Sequence, residues 1–165
     1  MEIRKLNVTD APAYYDLRIE ALRDSPDSFA TRLEDAIRRP VEKTAENLAL
    51  DNAVTYGAFT DGALCGNVTL VRNRTPKLDH RASVVAVYVT PGQRGNGIAW
   101  RLMQELLRFA ENWEGLERLD LMVASENQPA IALYEGLGFE KYGIEIKSMK
   151  TSEKYIDENL MVKFI

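Results

Sequence analysis

Two stretches of this 165-residue chain carry residue types at spacings that can do chemistry. The first is Pro91-Gly-Gln-Arg94-Gly95-Asn96-Gly97-Ile98-Ala99, a cation and two glycines between an apolar run and a helical pattern. Backbone N–H groups at a helix N-terminus lack partners within the helix, and the helix dipole adds positive potential there. Gly95 and Gly97 let an anion come close because no Cβ stands in its way. The expected ligand is therefore an anion, and a diphosphate suits it best. The pattern is neither G-x-G-x-x-G nor G-x-x-x-x-G-K-[ST], which excludes the dinucleotide and P-loop readings. The plain alternative is a pair of glycines that only shape a turn. The second stretch runs from Asn127 to Phe139 and contains Ala130, Leu133, Tyr134 and Gly138. Taken alone, Asn127 there reads as a helix cap and Tyr134 as core filling.

The elements that must position these residues follow from periodicity. A short strand is expected over residues 2 to 6, and a helix from Thr9 or Asp10 to about Leu22 with Pro12 in its first turn. A charged helical region covers roughly Leu33 to Leu50, and Pro40 is expected to break it. Residues 54 to 60 and 63 to 71 read as a hairpin turned at Asp61-Gly62. After a polar loop, Ala82 to Val89 is too apolar to alternate and is expected to be a central strand buried on both faces. A helix from Gly97 to about Trp113 follows, with Met103, Leu106 and Ala110 on one face. Then come a strand over 117 to 124, a helix opened by Glu126-Asn127-Gln-Pro129 and ended by Gly136 or Gly138, and closing strands over 139 to 146 and 159 to 165. This order predicts an α/β (α+β) fold with a sheet of mixed, mainly antiparallel direction and helices on both faces.

Composition narrows the classes. Lys and Arg total 21 against 25 for Asp and Glu, a net charge of −4, which is not the footprint of a non-specific nucleic-acid binder. One cysteine and one histidine leave no disulfide framework and no zinc constellation, so no metal is expected. No apolar run approaches the ~20 residues of a membrane helix, and no signal-peptide core follows Met1. The expectation is a cytoplasmic protein with one domain spanning residues 1–165, no membrane partner, and an oligomeric state left open, a homodimer included.

Pro91 to Ala99 resembles the R-x-x-G-x-[GA] acetyl-CoA motif of the GNAT superfamily of N-acetyltransferases. The Asn127 stretch is similar to that superfamily's N-x-x-A-x-x-L-Y-x-x-x-G-F motif, and the two match in order, spacing and element type. The resemblance implies that the backbone of Val87, Tyr88 and Val89 pairs with the pantetheine arm like an added strand. It further implies that the N–H groups of Arg94, Gly95, Asn96, Gly97, Ile98 and Ala99 cradle the CoA diphosphate, with Arg94 adding charge. Asn127 would hydrogen-bond the pantetheine, and Tyr134 would protonate the departing thiolate. Acetyl-CoA is then the cosubstrate, and a primary amine of a small molecule or protein accepts the acetyl group directly. The alternative is a non-catalytic acyl-CoA-binding regulatory module of the same fold.

Many members resembling this chain place a Glu on the central strand as base. Here Ser83-Val-Val-Ala-Val-Tyr88 carries no carboxylate, which leaves the base unassigned; Ser83 or Tyr88 can serve there or simply pack. His80 falls in a polar loop, where exposure is the simpler reading, and Cys65 reads as a small buried hydrophobe. Glu20, Asp24, Asp27, Glu34 and Asp35 fall where this family builds its acceptor wall, or else form a solvated helix face. Tyr155, Asp157 and Glu158 are expected just before the last strand, closing the acceptor pocket or serving as turn residues. Arg72, Arg74, Lys77 and Arg81 read as solubilising charge.

Overall fold

The computed structural model describes residues 1–165. Strand β1 (Glu2–Lys5) leads into a 3-10 turn and helix α1 (Ala11–Asp24). Asn7 caps the 3-10 turn, its side chain accepting from the Thr9 N–H at 2.9 Å, while Asp10 stands at the N-cap position of α1 without a side-chain cap bond to that helix. Asp10 has other partners: its carboxylate accepts from the Asn7 N–H at 2.9 Å and from both terminal nitrogens of Arg4 at 2.9 and 2.7 Å. Pro40, extended at ψ 153°, separates α2 (Leu33–Ile37) from α3 (Val41–Leu48) as its fixed φ and missing N–H require.

Strands β2 (Ala53–Thr60) and β3 (Ala63–Arg72) form the hairpin, with Asp61 and Gly62 both at positive φ, the geometry of a type I′ turn. Strand β4 (Arg81–Val89) precedes helix α4 (Ile98–Glu111), and strand β5 (Arg118–Ala124) precedes helix α5 (Gln128–Gly136). The chain closes with β6 (Glu140–Lys150) and β7 (Tyr155–Phe164). These last strands are longer than periodicity suggests, and Tyr155, Asp157 and Glu158 lie inside β7 rather than before it. Two register shifts in β6, and Lys147 at φ +55°, interrupt the alternation that would have revealed them.

The seven strands form one sheet in the order β1-β2-β3-β4-β5-β7-β6. Every neighbouring pair is antiparallel except β4 and β5. Ile98, Leu102, Met103, Leu106, Leu107 and Ala110 make the buried stripe of α4 and, with Ile131 and Tyr134 of α5, cover one face of the sheet. Leu17 and Ala21 of α1 pack on Tyr88 from the other face. Strand β4 is not buried on both faces: Ser83 is exposed and Val85 is 41% exposed. Its pairing with β5 covers only Arg81 to Ser83 against Arg118 to Asp120 and then stops, which opens a gap between the two strands.

At the closed end of this gap Asp120 accepts from Arg81 Nε at 3.0 Å and from Arg118 Nη2 at 2.7 Å. Beyond it the two strands part. The basic loop is accordingly more than solubilising charge. Arg81 joins this clamp, Arg72 donates to the carbonyls of Asp79 and Glu114, and Arg74 pairs with Asp51.

Candidate active site

Where β4 and β5 separate, a groove of roughly 430 Å³ opens through the sheet. Its walls are Val84 to Val89 of β4, Met122 to Ala124 of β5, and Ala130, Leu133 and Tyr134 of α5. Phe29, Ser25 and Ser28, from the segment after α1, close the opposite side. Fourteen of the nineteen lining residues are hydrophobic, and Arg94 is the one charged group among them. A bulge shapes the upper part: Ala86 sits at φ +54° and its carbonyl accepts from the Asn67 amide at 2.5 Å. The register of β4 against β3 shifts at this point.

Above the groove the turn enters α4 with Gly95 at φ +81° and Gly97, the N-cap, at φ +72°. A Cβ at either glycine would meet nothing within 4 Å, so packing does not demand glycine here; the backbone conformation does. The N–H of Arg94 donates to Pro91, and the first intrahelical donor is Arg101, to Gly97. Between them the N–H groups of Gly95, Asn96, Gly97, Ile98, Ala99 and Trp100 donate to no acceptor within the protein. This run of bare donors at a helix N-terminus fits a diphosphate. It starts one residue later than the motif suggests and includes Trp100, since Arg94 spends its own N–H in the turn.

The Arg94 side chain is also tied down. Its Nε donates to the Val89 carbonyl at 2.8 Å, its Nη2 pairs with Asp24, and its guanidinium lies 5.5 Å from the Tyr88 ring centroid. Hydrogen bonds from Ser25 and Arg94 hold the Asp24 carboxyl below the usual carboxylate range. Tyr88 is 5% exposed and donates to Glu20 at 3.0 Å. Burial first, and this carboxylate second, push its phenol well above the ordinary value. Its side chain thus secures α1 to β4, while its backbone lines the groove with that of Val87 and Val89.

Asn127 caps α5, its Oδ1 accepting from the Ala130 N–H at 3.3 Å. Only the side-chain oxygen is used in this way, and the amide nitrogen makes no bond to the protein. Tyr134 is 6% exposed, with its ring edge-on to Phe139 at 6.1 Å. Its hydroxyl bonds to no protein group, yet no fully buried side-chain polar atom lacks a partner. The hydroxyl is therefore the part of Tyr134 that opens into the groove. Burial raises this phenol far above its ordinary value, so it keeps its proton throughout the neutral range.

Other candidates fall outside. His80 precedes β4 at the end away from the groove, and its carbonyl accepts from Glu117 and Arg118. Cys65 is 6% exposed and donates to the Ala58 carbonyl. Glu34 and Asp35 stay on α2, where Asp35 pairs with Arg32. A second cavity of roughly 430 Å³ shares Ser25, Ser28, Ala124 and Asn127 with the groove. It collects Asp24, Asp27, Tyr155 and Asp157, together with Glu126 and Lys154. No spacing pointed to those last two, because they meet Asp27 only through the tertiary fold.

Residues 13–139 match the acetyltransferase (GNAT) family, and the chain belongs to that family. It is 30% identical over 106 residues to the L-amino acid N-acetyltransferase AaaT of Escherichia coli (strain K12), an overlap of 64% of this chain and 65% of that protein. The chain spans less than two thirds of the length of the first curated relatives it matches. A GNAT-family acetyltransferase from Streptococcus pneumoniae superposes with a TM-score of 0.87 at 27% identity, covering 99% of both chains. The fold is shared as well with yncA from Salmonella typhimurium, described with its cofactor acetyl-CoA, at a TM-score of 0.85 and 19% identity over 99% of this chain and 93% of that one.

Proposed function

We propose that this chain is an acetyl-CoA-dependent N-acetyltransferase that moves the acetyl group directly to a primary amine, within one domain and in the cytoplasm. The observation that carries this reading is the run of unpartnered N–H groups from Gly95 to Trp100, set above an apolar groove that reaches the Tyr134 hydroxyl. Gly95 to Trp100 would hold the diphosphate, and the open edge of Val87 to Val89 would align the pantetheine arm. Asn127 would contribute its free amide nitrogen. The acetyl thioester supplies the activated acyl group once bound.

In the transfer, a neutral amine nitrogen bonds to the thioester carbonyl carbon and the carbon–sulfur bond breaks. The sulfur takes up a proton, and the nitrogen loses one. Tyr134, still protonated, is placed to donate that proton to sulfur or to hydrogen-bond it. The groove holds no carboxylate or imidazole to take the other. The kcat/KM is therefore expected to rise with pH toward the acceptor amine's own pKa, ~10.4 for a lysine-like amine. Holding both reactants in one groove supplies the rest by orientation.

The test is release of free CoA from acetyl-CoA across a panel of amines at catalytic protein concentration. Turnover with at least one amine is expected. Tight acetyl-CoA binding with no release from any amine would leave a binding module instead.

A further inference from the structure

A smaller cavity, of roughly 110 Å³, lies where α1 packs on α2 and α3, and it shares no lining residue with the groove or with the acidic cavity. Three cations face it, Arg18 from α1, Arg39 from the α2–α3 turn and Lys43 from α3, and no carboxylate does. Lys43 has its own acid, Glu46 at 2.7 Å. Arg18 and Arg39 have none. Asp35, whose charge reaches Arg39, gives both carboxylate oxygens to Arg32 at 2.8 and 3.1 Å. Arg18 is half-buried, its guanidinium carbon 4.7 Å from the ring centroid of Phe29, which also lines the groove. Desolvation first, and the like charge of Arg39 besides, hold this guanidinium below its ordinary value. Charges taken out of water are ordinarily paired, and two guanidiniums sharing a cavity without an acid are not. The Thr44 hydroxyl and the Asn47 amide, one turn apart on α3, line the same space and bond to no protein group.

We propose that this cavity binds a small, doubly charged oxyanion of the phosphate or sulfate type between Arg18 and Arg39. Each guanidinium offers a planar fork of N–H donors that fits the oxygens of such an ion, and Thr44 and Asn47 add donors beside it. At about 30 Å³ per water the cavity has room for three or four waters, enough for one such ion and too little for a nucleotide. A carboxylate brings one charge to two cations and fits less well. Once bound, the ion joins α1 to the α2–α3 turn and removes the repulsion between the two guanidiniums.

The test is calorimetric titration of the whole chain with sodium sulfate, phosphate, acetate and chloride at one ionic strength, with CoA in excess so that the loop ahead of α4 is filled. Sulfate and phosphate are expected to bind with Kd below about 10 mM and to raise Tm by mass action. Acetate should bind about tenfold more weakly, and chloride not measurably. Arg18→Met keeps an unbranched side chain against Phe29 and removes the charge, which should weaken sulfate binding about tenfold. Arg39→Gln, at an exposed position, should weaken it about threefold to tenfold. Without added oxyanion Arg18→Met should melt no lower than the parent, because it loses an unpaired charge, whereas in sulfate it should melt below it.

Sulfate and phosphate binding weaker than about 10 mM, or acetate or chloride binding as tightly as they do, overturns the proposal. Sulfate affinity that survives in the Arg18→Met/Arg39→Gln double variant does so as well. An Arg18→Met chain that melts lower by the same amount with and without sulfate returns Arg18 to a packing role on Phe29.

Discussion

Replacing Gly97 separates charge from conformation at the proposed diphosphate site. The residue sits at φ +72°, ψ 13°, with open space where a Cβ would lie. Any side chain there costs about 1 kcal/mol of left-handed backbone strain, less for Asn and Asp, which bond locally in that region. Asn and Asp are nearly the same size, so Gly97→Asn and Gly97→Asp differ chiefly in charge. For folding, the Asp carboxylate is mildly favourable, since it lies at the positive end of α4 and gains about 0.3–1 kcal/mol. The two variants should therefore melt within about 3 °C of each other.

Donor binding should split them. A carboxylate about 5 Å from one diphosphate charge, at an effective dielectric near 20, repels it by about 3 kcal/mol, or about 150-fold in affinity. Gly97→Asn should lose only about tenfold, from strain and crowding. Calorimetric titration with acetyl-CoA reads both values, and rising salt should narrow the difference between the variants. Equal losses in the two variants would mean that shape, not charge, matters at this loop. Unchanged affinity in both would remove the diphosphate from it altogether.

Tyr134→Phe keeps the ring against Phe139 and removes the unbonded hydroxyl, so folding and acetyl-CoA binding should persist while kcat falls roughly 10²-fold. Near-normal kcat in an assay limited by chemistry would return Tyr134 to the core. Asp120→Ala leaves Arg81 and Arg118 without their shared carboxylate at the closed end of the gap, which should cost about 2–3 kcal/mol and lower Tm by roughly 5–10 °C. A shift under about 2 °C would show that the clamp contributes little. Hydrogen bonds from Arg4 hold the Asp10 carboxyl below its ordinary range. Its stabilisation is therefore present above the unfolded value, ~3.9, and is lost as pH falls through the lower folded value. With Arg4 37% exposed, Asp10→Asn should cost about 1 kcal/mol at pH 7 and progressively less below pH ~4 in urea melts. A cost that does not change with pH would refute the ion-pair account.

The sequence by itself determined the order of elements, the mixed sheet and the glycine turn ahead of α4. Each of these rests on local physics: hydrophobic period, the φ limits of Pro40 and Gly62, and the glycines ahead of α4. It also supplied both family motifs, because their residues are near neighbours along the chain. Local reasoning failed where strand geometry is irregular. The bulge at Ala86 and the shifts in β6 carry no compositional mark, so the break in β4 went unseen and β7 looked short. The tertiary structure alone decided which charges meet. Arg94 reaches Asp24 across 70 positions, Tyr88 reaches Glu20 across 68, and Lys154 lies against Asp27 from the far end of the chain. Such pairs depend on where the segments after α1, β5 and β6 come to rest. Packing of the whole core fixes those positions, and neither the spacing nor the types of the residues involved encode them.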